Sequence, residues 1–127
     1  MGNHYKLLLV EDNPSNLELF IDILSITNYE YVTASNGLEA LEIAKNERPD
    51  LILLDIQLPG MDGLLVVSKL REMEETKNAK IIALTAHAMK GDKDIFISKG
   101  FDDYISKPIT VKLFLSKIDE ILKSIST

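Results

Sequence analysis

Four short strand-forming runs in this chain each stop at a residue of chemical interest. KLLLV (Lys6–Val10) runs into Glu11 and Asp12, and LILL (Leu51–Leu54) into Asp55. KIIAL (Lys80–Leu84) runs into Thr85, and DYIS (Asp103–Ser106) into Lys107. A fifth run lies near Tyr29–Ala34, and amphipathic helical stretches separate them all. Runs of this length alternating with helices indicate a parallel sheet covered on both faces. In such sheets ligands bind outside the carboxyl ends of the strands. Three acids, a hydroxyl and a lysine would then meet at one edge, a set suited to Mg²⁺ and a phosphoryl group carried on a carboxylate.

Helix signals fill the gaps between the runs. Asn13 can cap a helix over about 14–26, with Pro14 at the first helical position and Leu17, Phe20, Ile21 and Leu24 as its apolar stripe. Asn36 can cap a second helix ending near Asn46, with Glu39 placed to complete a capping box. Arg48-Pro49-Asp50 breaks the chain, and Pro59 to Gly63 reads as a turn-rich loop. A third helix is predicted over about 64–73. A fourth covers about 92–99 and stops at Gly100, a left-handed cap. A fifth covers about 110–124, with Val111, Leu115, Ile118, Leu122 and Ile125 predicted as its buried stripe. Periodicity does not determine the strand order.

Composition narrows the class. With 127 residues, 46% hydrophobic and 27% charged, the chain suits one globular domain, and we expect a single unit over 1–127. The absence of cysteine excludes disulfides and thiolate metal sites and fits a cytoplasmic location. No apolar run approaches the roughly 20 residues of a membrane helix. A net charge of −6 argues against direct nucleic-acid binding.

The segments LLLVEDNPSN (Leu7–Asn16), DLILLDIQLPGMDG (Asp50–Gly63), ALTAHAMKGD (Ala83–Asp92) and DDYISKPI (Asp102–Ile109) resemble, in order and spacing, a CheY-like receiver domain of two-component response regulators. The resemblance covers essentially the whole chain. In its short format and its TAHAMKGD and SKPI segments it is most similar to DivK-type single-domain regulators, and also to receivers fused to hybrid histidine kinases. It implies a flavodoxin-like (βα)5 three-layer sandwich with strand order 2-1-3-4-5. That order sets strands one and three side by side, and Glu11, Asp12 and Asp55 with them.

The resemblance also implies the site. Asp55 would be the phosphoacceptor and carry the aspartyl phosphate. Mg²⁺, with Mn²⁺ as a substitute, would be held by Asp12, Asp55 and the backbone carbonyl of Gln57, with Glu11 acting through a water. Lys107 would meet the phosphoryl oxygens, its bond to Pro108 being cis. Thr85 would bind phosphate beside the small Ala86. Thr85 and Tyr104 would switch the face made by helix four, strand five and helix five. Gln57 and His87 would tune the phosphorylated lifetime, and Asn13, Pro14 and Asn16 would dock the donor. The implied partners are a histidine kinase or histidine phosphotransfer protein and an output protein. The chain stops soon after helix five without a linker, which favours a stand-alone regulator in a phosphorelay, though a domain excised from a larger protein would look the same.

Three other readings compete. A haloacid-dehalogenase-like phosphohydrolase needs a second aspartate two positions after the first, where this chain has Gln57. An FMN binder of the same fold class would meet repulsion from Glu11 and Asp12. The alternative kept open is a receiver-fold interaction module that is not phosphorylated.

Overall fold

In the computed structural model, residues 5–58, 60–86 and 92–125 are described. The elements alternate without exception: β1 (Lys6–Val10), α1 (Pro14–Leu24), β2 (Glu30–Ala34), α2 (Gly37–Glu47), β3 (Leu51–Asp55), α3 (Gly63–Glu72), β4 (Lys80–Thr85), α4 (Asp92–Ser98), β5 (Asp103–Ser106) and α5 (Val111–Ile125). All strand pairs are parallel, in the order β2-β1-β3-β4-β5. The flavodoxin-like order expected from the resemblance is the one observed.

Strand alternation divides the core in two. Leu8, Val10, Ile52, Leu54, Ile81 and Ala83 face one side and pack with α2, α3 and α4. Leu7, Leu9, Leu51, Leu53, Ile82 and Leu84 face the other and pack with α1 and α5. β3 is buried along its whole length, which is why its run shows no polar alternation. No helix among the described residues is long and apolar enough to cross a membrane.

The caps follow local chemistry. Asn13 Oδ1 accepts from the Ser15 and Asn16 N–H groups. Gly100, at φ +113°, lets Gly100 N–H reach the Ile97 carbonyl and Phe101 N–H reach that of Phe96, closing α4 with a Schellman-type pair. The capping box at α2 differs from expectation. Asn36 Oδ1 accepts from Glu39 N–H, but the Glu39 carboxylate reaches the Ser35 N–H, one residue before the cap. The stripe expected for α5 is also corrected. Phe114, Ile118 and Leu122 are the buried residues, Leu115 is half-buried, and Val111 and Ile125 are exposed. A helix of this length spans about 22 Å, while the four- to six-residue strands beneath it span about 13–20 Å. The first and last turns therefore overhang the sheet, and residues there stay wet whatever their hydropathy.

Candidate functional site

The carboxyl ends of β1 and β3 lie side by side, Val10 in register with Leu54. Glu11 and Asp12 follow one strand and Asp55 ends the other. Carboxylate oxygens of all three lie within 4.8 Å of one another. Glu11 and Asp55 are buried, whereas Asp12 is exposed. Lys107 enters from beyond β5. Its Nζ donates to Glu11 Oε1 at 2.9 Å and to Asp55 Oδ2 at 2.8 Å. The remaining oxygens also have partners: Asn13 N–H donates to Glu11 Oε2 at 3.2 Å and Gln57 N–H to Asp55 Oδ1 at 2.9 Å. The Lys107–Pro108 bond is cis, and Lys107 N–H donates to the Thr85 carbonyl at 2.7 Å.

Burial pushes the Glu11 carboxyl above the ordinary carboxylate value. The adjacent Asp55 adds to that, while Lys107 and the Asn13 N–H pull the other way. Burial also works against the Lys107 charge, yet its hydrogen bonds to Asp55 and Glu11 outweigh the cost and hold the ammonium above its usual value. An acidic set this dense, with hard oxygen donors on three side chains, fits a small divalent cation such as Mg²⁺.

The other expected residues fall as follows. Thr85 ends β4 and is buried, and Ala86 after it is exposed. Tyr104 on β5 is half-buried and tilts against Phe96 of α4, ring centres 5.6 Å apart. The Gln57 side chain is exposed beside Asp55, and Asn13 and Pro14 are exposed at the start of α1, with Asn16 half-buried. His87 and Pro59 lie outside the described residues.

Two structural contributors, one beside the acids and one at the opposite edge of the sheet, escaped the sequence reading. A Cβ on Gly63 would lie 2.6 Å from the Ile56 Cα and 2.7 Å from the Asp55 carbonyl oxygen, and Gly63 N–H donates to the Ile56 carbonyl at 2.8 Å. The loop after Asp55 closes tightly only because this residue has no side chain. A glycine directly after the cap residue Asp62 was the available signal. Arg71 bonds to the carbonyls of Gly100, Lys77 and Ala79 and pairs with Asp102, tying the end of α3 to the segment entering β4 and to the connection between α4 and β5. No local pattern marks it.

A parallel sheet whose carboxyl edge gathers acids around one lysine is not a nucleotide cradle, which presents N–H groups to phosphate. It is the edge of a receiver domain. Residues 7–119 match the response regulator receiver domain, and the chain belongs to that family. Within it the chain is DivK-like. It is 46% identical over 117 residues to the polar-differentiation response regulator DivK of Brucella anthropi, covering 92% of this chain and 95% of that one. The Brucella ovis protein of the same name is 45% identical over the same length. Among solved structures, the chemotaxis response regulator CheY4 of Vibrio cholerae superposes with a TM-score of 0.88 at 28% identity, over 94% of this chain and 99% of that one. The receiver domain of the sensor histidine kinase PA1611 from Pseudomonas aeruginosa, which has a magnesium ion coordinated in its active site cleft, superposes with a TM-score of 0.84 at 33% identity. That match spans 98% of this chain and 100% of that one. Receiver domains bind Mg²⁺ in this acidic site, work with histidine kinases and output proteins, and are signalling switches rather than, in general, turnover enzymes.

Proposed function

We propose that residues 1–127 form one cytoplasmic receiver that takes a phosphoryl group from a phosphohistidine onto Asp55. The observation that carries this reading is the double hold on Asp55: Lys107 Nζ at 2.8 Å on one oxygen and Gln57 N–H at 2.9 Å on the other, beside Glu11 and Asp12. A carboxylate held so is positioned for in-line attack. As the Asp55 oxygen–phosphorus bond forms, the phosphorus–nitrogen bond of the donor breaks and its imidazole leaves. Mg²⁺, held by Asp12, Asp55 and the Gln57 carbonyl with Glu11 through a water, would offset the repulsion between the two anions. Lys107 would keep its charge throughout and exchange an acid for a phosphoryl oxygen. Mn²⁺ can fill the same oxygen set.

The donor, a histidine kinase or histidine phosphotransfer protein, would dock at Asn13, Pro14 and Asn16, which flank the acids. The gain of about −1.5 to −2 in charge would draw the Thr85 hydroxyl, beside Ala86, toward the phosphate and free Tyr104 to turn inward from Phe96. The face built by α4, β5 and α5 would read that change to an output protein. It carries exposed Ile95, Ile97, Val111 and Leu113, and a shallow cavity of about 250 Å³ bordered by Lys93, Tyr104 and Lys117. Gln57, exposed at the pocket mouth, would tune the phosphorylated lifetime.

The experiment is intact-mass spectrometry after incubation with acetyl phosphate and Mg²⁺. One added phosphoryl group is expected, lost in Asp55→Asn and on chelation of the metal. Addition that survives Asp55→Asn would name a different acceptor. No addition while Mg²⁺ binds would leave an interaction module.

A further inference from the structure

Glu11 and Asp55 are held by the same scheme. Each gives one oxygen to Lys107 and the other to the backbone N–H two residues on. For Glu11 that N–H belongs to Asn13, whose backbone is extended at φ −83° and ψ 116°. The conformation is fixed by its own side chain: Oδ1 accepts from Ser15 N–H at 2.9 Å and Asn16 N–H at 3.1 Å. Asn13 thus faces two ways. Its side chain closes the first turn of α1, and its main chain closes on Glu11. Without a side-chain acceptor at this position those helix N–H groups turn to water, and the backbone dihedrals of residue 13 are no longer pinned.

We propose that Asn13 is a positioning residue for the acid pocket: by capping α1 it aims its own N–H at Glu11 Oε2 and so fixes the orientation of that carboxylate beside Asp12 and Asp55. The proposal rests on the reading of this pocket as the Mg²⁺ site. Glu11 needs such a hold because it is buried next to a like charge, and a mistimed rotation of its carboxylate would remove its Lys107 contact and its place beside the metal acids together. The 11-residue helix α1, whose N-terminus is its positive end, begins three residues after Glu11.

The test uses wild type, Asn13→Ala, Asn13→Ser, Glu11→Gln and the double variant Asn13→Ala/Glu11→Gln, each checked for folding by circular dichroism. Acetyl phosphate and Mg²⁺ are small molecules, so loss of protein docking at Asn13 does not enter. Mg²⁺ is titrated calorimetrically. Asn13→Ala should raise Kd about five- to tenfold, the change expected for one ordinary hydrogen bond. Asn13→Ser, which also caps, should stay within about twofold of wild type. In the Glu11→Gln background Asn13→Ala should change Kd by less than about twofold, because the group it positions is already altered. An unchanged Kd in Asn13→Ala, an equal loss in Asn13→Ser, or the same factor in both backgrounds would each overturn the proposal. A second readout needs no metal: the amide proton of residue 13 should exchange about tenfold faster in Asn13→Ala than in wild type or Asn13→Ser. If wild type binds no Mg²⁺ yet this exchange pattern holds, the metal reading falls and the positioning role stands. If the exchange rates are equal, the positioning role falls.

Discussion

The loops after β1 and β3 each hold a buried carboxylate at the edge of the sheet, and they do so with different parts. After β1 the chain needs only Glu11, Asp12 and Asn13 before α1 begins, so the residue that bonds to the acid is also the helix cap. After β3 the chain runs through Ile56 to Asp62 before α3 begins, and the acid-holding N–H of Gln57 is far from any cap. There the loop is closed instead by Gly63, lying against Ile56 and the Asp55 carbonyl and bonding to Ile56. One acid is secured by a side chain that makes two hydrogen bonds, the other by the absence of a side chain. A short loop inherits rigidity from the helix it enters. A longer one must find it in packing.

Lys107 bonds to both acids, so its loss should break both loops at once. Lys107→Met is expected to lower stability by about 3 kcal/mol in urea unfolding at neutral pH, the low end for removing one partner of a buried pair. Adding Glu11→Gln in the same chain should recover part of it, because the two acids then no longer repel. Gly63→Ala should act on the β3 loop alone and cost about 1–3 kcal/mol, since backbone atoms must move to admit the methyl. Asn13→Ala should act on the β1 loop alone and cost about 1 kcal/mol, the usual worth of a helix cap. Equal effects of these two on the amide exchange of residues 13 and 57 would erase the distinction between the loops.

The smallest effect should come from a site outside both loops. Tyr29 OH donates to Asp119 at 2.6 Å, linking the start of β2 to α5. Burial, and then Asp119, push the Tyr29 phenol up to about 12 from its ordinary 10.0. The folded state therefore favours the neutral phenol. That stabilisation is complete below the ordinary value and is lost as pH rises through about 12. Tyr29→Phe should cost at most about 1 kcal/mol near neutrality. Its stability, followed by urea titration in alkaline buffers, should then fall less steeply over that window than wild type, with Mg²⁺ affinity unchanged.

Much of the fold was legible because its signals are local. Asn13, Asn36 and Gly100 announce helix ends by what their side chains, or the lack of one, do to neighbouring N–H and carbonyl groups. β1, β3 and β4 declared themselves by nearly unbroken apolar runs. Where the structure departs from expectation, the deciding partner lies outside the helix itself. Glu39 closes on Ser35, in the two-residue link between β2 and α2, rather than on the cap residue. Val111 and Ile125 fit the helical period of α5, but the sheet beneath is too short to cover them. Among site residues, the acids and Lys107 stood out by their place at strand ends. Gly63 beside the site did not, nor did Arg71 at the amino ends of β4 and β5, since the atoms they meet come from other segments of the chain.

The sequence by itself determined which residues lie at the carboxyl ends of the strands, because strand length and polarity change are written in consecutive positions. It also determined the caps that start α1 and α2. Only the tertiary structure decided that Lys107 would bond to Asp55 and to Glu11, 52 and 96 residues away, and which oxygen of each acid it would take. Those contacts exist because β1 and β3 are neighbours and β5 lies beyond β4. Strand order is a property of how the helices cross over and pack, and no stretch of five or ten residues contains it.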